Sequence, residues 1–232
     1  MAFDPTKYTM AKARPLPVIL LLDRSGSMLE NDKIGKLNAA VNEMIESFKT
    51  VGKREVEIDL AVISFGDDKA TYDLELQPVR TINDITLTAN GMTPMGAALR
   101  MAKDLIENKD IIPSNGYRPT VVLVSDGKPN DEWKQPMESF VSEGRSSKCE
   151  RFAMAIGTSK DDPVLTKFLS GTGNEVFLAS DASNIQDFFR FVTMSVSVRS
   201  RSQNPNKLLP ESGGTPSVSS LEELAKEFGI DL

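Results

Sequence analysis

Histidine is absent from this chain, and cysteine occurs once, at Cys149. The first absence removes the commonest general base at neutral pH, the Ser-His-Asp triad and the usual nitrogen ligands of zinc. The second excludes an intrachain disulfide framework and fits a reducing compartment. No run approaches 18 apolar residues, so no stretch reads as a membrane-spanning helix. The first residues, MAFDPTKYTMAKARP, lack a charged region followed by an apolar core, which argues against a signal peptide. No G-x-x-x-x-G-K-[ST] pattern is present, so a Walker-type nucleotide site is disfavoured. Lys and Arg number 27 against 33 Asp and Glu, a net charge of -6. That balance is a poor match to a phosphate-backbone binder and is compatible with cation binding. The expectation is a cytoplasmic protein with neither a nucleic-acid nor a membrane partner.

What is present is organised around LPVILLLDRSGSM, residues 16–28. Seven apolar residues, 16–22, stop abruptly at Asp23. A Val/Ile/Leu-rich run of this length, bounded by polar turn residues, reads as a strand buried on both faces. Its polar terminus then lies at the carboxyl end of a central strand, where open α/β sheets place their ligands. Asp23, Ser25 and Ser27 supply a carboxylate and two hydroxyls in a glycine-containing turn. These are hard oxygen donors, suited to Mg²⁺ rather than Zn²⁺.

The remaining chain, 232 residues in all, alternates strand and helix signals. Residues 33–49 carry Ile34, Leu37, Val41, Met44, Ile45 and Phe48 at helical steps, and Gly52 ends that element. Residues 55–65 read as a second strand, with Val56, Ile58, Leu60 and Val62 on one face and Ala61, Ile63 and Phe65 on the other. A turn at 66–69 leads into a half-exposed edge strand at 71–76, and 81–91 reads as polar connection. A helix from Pro94 to about Asn108 follows, with Thr93 as its expected N-cap. An apolar strand then ends in Asp126-Gly127, repeating the opening pattern. A helix at 133–147 is weakened by Gly144. Residues 151–156 and 175–178 read as strands, and 163–169 as a short helix. A last helix is expected from a Ser183 cap, with Ile185, Phe188, Phe189, Val192 and Val196 in one stripe. The pattern implies an α/β fold with a mostly parallel sheet covered on both faces. The expected limits are a leader at 1–14, one domain at 15–199, a linker or disordered stretch at 200–219, and a short helix or tail at 220–232 opened by the capping-box pattern SLEE.

Three separated segments end where a ligand of the sheet would lie: residues 23–27, the loop 90–96, and Ser125-Asp126-Gly127. Each alone has a plainer reading, since an Asp after a strand is also a turn former and Thr93 is also a helix cap. Gly26 permits a tight turn between two serines, Gly91 lets the Thr93 loop approach, and Gly127 relieves the chain after Asp126. Arg24, Asp67, Asp68, Asp131 and Glu132 are candidates for the rim of the same edge, with solvated surface charge as the alternative.

Taken together, Asp23-x-Ser25-x-Ser27, Thr93 and Asp126 resemble the metal-ion-dependent adhesion site (MIDAS) of the von Willebrand factor type A domain family, over roughly residues 15–199. RPLPVILLLDRSGSM, NGMTPMGAAL and LVSDGKPND followed by Trp133 resemble the compact bacterial members encoded with tellurite-resistance and stress-response systems. The resemblance implies the sheet order 3-2-1-4-5-6, with one short antiparallel edge strand. It also implies Mg²⁺, or Mn²⁺, held by Asp23, Ser25, Ser27, Thr93 and Asp126 directly or through water. One coordination position is then left for a Glu or Asp of a protein partner. Partners of the phosphatase or kinase type follow from the stress-system resemblance, and a last helix that shifts follows from integrin-type relatives. Phe188 and Phe189 point instead to firm packing of that helix.

The preferred expectation is a metal-dependent binding module without enzymatic activity. The alternatives are a metal-dependent hydrolase, for which no base beyond the ligands is evident, and a scaffold whose site has decayed.

Overall fold

A computed structural model of the chain describes residues 14–51, 57–180 and 182–201. Among the described residues there are six strands, β1 (Leu16–Asp23), β2 (Ile58–Gly66), β3 (Lys69–Pro78), β4 (Thr120–Ser125), β5 (Glu150–Ile156) and β6 (Phe177–Ala179). They form one sheet in the order β3-β2-β1-β4-β5-β6, parallel throughout except for the β2–β3 pair. The helices are α1 (Lys33–Val51), α2 (Met95–Glu107), α3 (Lys134–Ser142), α4 (Pro163–Phe168) and α5 (Ala182–Arg201).

The apolar run of β1 is buried from end to end because alternate residues feed two cores. Val18, Leu20 and Leu22 join Leu60, Val62, Val122 and Val124 under α1 and α5. Ile19 and Leu21 join Ala61, Ile63, Phe65, Val121 and Leu123 under α2, α3 and α4. A strand with helices on both faces has no solvent side, so its sequence shows no polar alternation. The stripe of α1 is buried in the first core, as are Ile185, Phe188, Phe189, Val192 and Val196 of α5. Rings anchor α5: Phe188 lies 5.5 Å from Phe189 and 5.4 Å from Phe177, and Phe191 meets Phe152 edge-on at 5.3 Å.

Several boundaries differ from the sequence reading. The edge strand β3 extends through Pro78, with its last residues paired to Leu60 and Asp59. The segment expected as polar connection buries Ile82, Leu87 and Ala89. Its backbone stays satisfied because Asn38 bonds both the N–H and the C=O of Leu87, and Asn42 does the same for Ile85, at 2.9–3.0 Å. Two amides one helical turn apart on α1 thus act as a surrogate strand edge. The helix expected to reach 147 stops at Ser142, before Gly144 at φ +66°. The last helix begins at Ala182, so Ser183 lies inside it rather than capping it. It continues to Arg201, which places Ser200 and Arg201 in helix rather than linker, with Ser200 buried. The leader through residue 13, Gly52, Glu55, Val56 and the segments 202–219 and 220–232 lie outside the described residues.

Candidate metal centre

The chain crosses from one side of β1 to the other between β3 and β4, so the carboxyl ends of β1 and β4 form the sheet's switch point. Asp23, the last residue of β1, is fully buried there. Its Oδ1 accepts the Ser25 N–H at 2.8 Å, and its Oδ2 accepts the Ser125 hydroxyl at 2.6 Å. Burial pushes the Asp23 carboxyl up from its ordinary value; the bonds from Ser125 and Ser25 pull it back, and nearby Asp126 adds to the rise. A buried carboxylate in this position gains from a cation.

The next contacts run outward in a chain. Ser25 Oγ and Ser27 Oγ lie 3.0 Å apart. Ser27 Oγ donates to Asp126 Oδ1 at 2.7 Å, and the other oxygen of Asp126 accepts Lys33 Nζ at 2.6 Å. Asp126 follows β4 as Asp23 ends β1, and parallel pairing brings the two strand ends side by side.

The third segment is laced in by backbone. Gly91 O accepts the Gly26 N–H at 2.9 Å, while the Asn90 N–H reaches Arg24 O and the Asp67 N–H reaches Asn90 O, both at 2.8 Å. Gly91 has φ +70°, and a Cβ there would lie 2.6 Å from Asp67 Cα, so a side chain is excluded twice over. A Cβ on Gly26 would touch Gly91 O at 3.4 Å. Thr93 is buried, and Asn130 grips its backbone from both directions: Oδ1 accepts the Thr93 N–H at 2.9 Å, and the Asn130 N–H donates to Thr93 O at 3.2 Å. The Thr93 hydroxyl meets no hydrogen-bond partner among the described residues. A Cβ built on Gly127 would lie 3.8 Å from Thr93 Oγ1 and 4.0 Å from Ser27 Oγ, so both hydroxyls face the space that glycine leaves open.

Thr93 does not cap α2. The Asp131 carboxylate does, accepting the N–H groups of Gly96 and Ala97 at 2.9 Å each. Asp131 is therefore committed to the helix terminus rather than free at the rim. Arg24 is held too: its Nε donates to Ser64 Oγ of β2 at 3.0 Å. Asp67 and Asp68 form the exposed β2–β3 turn, both at positive φ, with Asp67 bonded to Asn90. Glu132 is exposed, and its carbonyl accepts from Arg100. Ser125, Asn130 and Lys33 carried no assigned role in the sequence reading. Ser125 and Asn130 stand beside marked residues in LVSDGKPND, and Lys33 opens the first helix, so proximity was the only signal.

The donor set suits a hard divalent ion. Two serine hydroxyls, an unpartnered threonine hydroxyl and two carboxyl groups are hard oxygen donors, and burial disfavours the charged form of Asp23 in a way that a nearby cation would offset. The family model described as the von Willebrand factor type A domain matches residues 18–191. The chain belongs to that family.

Solved structures agree on the type A fold. The pilus adhesin SpaC of Lactobacillus rhamnosus GG superposes with a TM-score of 0.64 at 14% identity, over 81% of this chain and 30% of SpaC. Proximal thread matrix protein 1 from the mussel byssus, described with a zinc-occupied MIDAS motif, gives 0.59 at 19% identity, over 78% of this chain and 45% of its own. Manganese-loaded TRAP protein of Plasmodium vivax gives 0.53 at 17%, over 75% and 71%. The chain thus spans less than half the length of the first two. No curated protein matches it.

Proposed function

We propose that this type A domain is a metal-dependent protein-binding module. Asp23, Ser25, Ser27, Thr93 and Asp126 hold a divalent cation, Mg²⁺ or in its place Mn²⁺, in a complete adhesion-type site. When bound, the ion offers a coordination position to a Glu or Asp carboxylate of a partner protein. The single observation that carries this reading is the run of contacts in which Asp23 Oδ1 accepts the Ser25 N–H, Ser25 Oγ meets Ser27 Oγ and Ser27 Oγ donates to Asp126, with the Thr93 hydroxyl facing the space beside Gly127. The zinc-occupied mussel protein and the manganese-loaded Plasmodium protein support a divalent metal on this fold.

A protein partner suits the surroundings. Leu29 and Met92, on the loops that carry Ser27 and Thr93, are both exposed large apolar side chains. Such residues beside a charged centre are what a protein contact buries. The reading is of binding without catalysis, since no histidine is present and Ser25 and Ser27 are engaged within the chain. The resemblance of LVSDGKPND and its companions supports, as part of this proposal, a cytoplasmic bacterial stress-response, tellurite-resistance or defence setting with a phosphatase or kinase as partner. Among the described residues no helix is long and apolar enough to cross a membrane.

The test is metal-dependent capture. Purified chain should take up Mn²⁺ or Mg²⁺ in a calorimetric titration, and D23A should not. A partner recovered with metal should be released by chelator and missed by D23A; recovery that survives both sinks the bridging model.

A further inference from the structure

Lys33 is the first residue of α1, where the positive end of the helix dipole makes a cation unfavourable. Its position must be favoured by something else. Its Nζ lies 2.6 Å from Asp126 Oδ2, 3.4 Å from Ser27 O and 3.6 Å from Glu30. The lysine side chain is 14% exposed and that of Asp126 is 0% exposed. Gly157, just past β5, walls the far side: a Cβ there would lie 3.6 Å from Lys33 Cε and 3.7 Å from Nζ. The ammonium is therefore confined in a slot that ends on the carboxylate, not waving over a surface.

We propose that Lys33 is a tethered countercharge that tunes the metal site. It trades affinity for the ion against the ion's hold on a partner's carboxylate. The inference rests on the metal-binding reading. With one oxygen facing Ser27 and the other facing the ammonium, Asp126 contributes little net charge toward a divalent cation. Asp23, which accepts bonds from the Ser25 N–H and the Ser125 hydroxyl, is left as the carboxyl of the set without a cationic partner among the described residues. A site so neutralised binds its cation less tightly, and the bound cation keeps more of its charge for a carboxylate from outside. Lys33 also pairs the buried Asp126, which alone would be an uncompensated charge in the fold. It is a positioning residue, not a ligand.

The experiment uses the full chain as wild type, K33M, K33Q, K33R and D23A. Mn²⁺ binding is measured by calorimetry at constant ionic strength, and thermal midpoints are measured in chelator and in saturating Mn²⁺. K33M and K33Q should bind Mn²⁺ more tightly by on the order of tenfold, and K33R should stay near wild type. K33M should melt earlier than wild type in chelator and recover most of the difference in Mn²⁺. Equal or weaker Mn²⁺ binding by both neutral variants, beside a wild type that binds, overturns the countercharge alone. Absence of binding in wild type and in both neutral variants overturns the metal reading and this inference together. Binding that emerges only on removal of the lysine charge overturns the metal-binding reading of the native site and, with it, the trade between ion affinity and partner carboxylate.

Discussion

Ser125 Oγ donates a 2.6 Å hydrogen bond to Asp23 Oδ2 across 102 residues of chain, and both groups are buried. The register of β1 and β4 makes the contact unavoidable: Leu22 pairs with Val124, so the next residue of each strand meets its neighbour. S125A should therefore cost about 1–3 kcal/mol, the range for a buried polar group that loses its partner. The loss should be larger at pH 8 than at pH 5, because the bond favours the charged carboxylate, whose burial already pushes its protonation upward. Denaturant midpoints at the two pH values check this. Equal stability of mutant and wild type at both would show that the bond adds nothing.

What was legible in the sequence was whatever local pattern dictates. The apolar runs that lead to Asp23 and to Ser125-Asp126 have few alternatives to buried strands with a carboxylate at or just past the end, and the stripes of α1 and α5 follow from helical spacing. The order of the sheet came from family resemblance, since periodicity does not encode strand neighbours. What escaped was tertiary. Arg151 looked like an ordinary strand residue, yet it is fully buried with its guanidinium on the carbonyls of Ser146, Ser147, Phe168 and Ser170. Asp131 looked like a rim charge because nothing local says that a carboxylate 35 residues past Gly96 will cap its helix. Nor does anything local say that Lys33 will reach Asp126, 93 residues further along the chain.

The two amides of α1 carry a testable load. Asn38 and Asn42 each make a paired set of bonds to the buried segment that leads into Asn90 and Thr93. Removing one leaves a part-buried backbone donor and acceptor without their partner. N38A and N42A should each lose about 1–3 kcal/mol in denaturant unfolding, and N38A, nearer the Thr93 loop, should also weaken Mn²⁺ binding. A loss below about 0.5 kcal/mol, as for ordinary surface changes, would mean that water replaces these amides freely.

Glu150 gives a pH signature far from the metal. It opens β5, is 8% exposed, and accepts Asn174 Nδ2 at 2.7 Å. Burial raises its carboxyl above the ordinary value of 4.5; Asn174 and the guanidinium groups of Arg199, Arg151 and Arg118 offset this only in part. The folded state thus holds the proton more tightly than the unfolded state. Its stabilising contribution is complete below the unfolded value and fades as pH rises through the folded one. E150Q lacks that fading, so the mutant should gain on wild type as pH climbs above 4.5, by about 1.4 kcal/mol per pH unit separating the two values. A stability difference that stays flat between pH 4 and pH 8 would contradict this.

Gly127 separates fold from function most cleanly. Its backbone bonds go to Ser125, and the nearest atoms to an added Cβ are Thr93 Oγ1 at 3.8 Å and Ser27 Oγ at 4.0 Å, ordinary contacts that force nothing apart. Unlike Gly91, it has no positive φ to defend. Alanine should therefore fold with a midpoint close to wild type. The new methyl, however, points into the space between two hydroxyls that the proposed ion and its waters share. A compact octahedral cation tolerates little displacement of its ligands. G127A should bind Mn²⁺ more weakly by on the order of tenfold, and G127V should bind it less still, while both keep a native circular dichroism spectrum. If G127V binds Mn²⁺ as wild type does, the cation is not held between Ser27 and Thr93, and the set of five ligands must be redrawn without one of them.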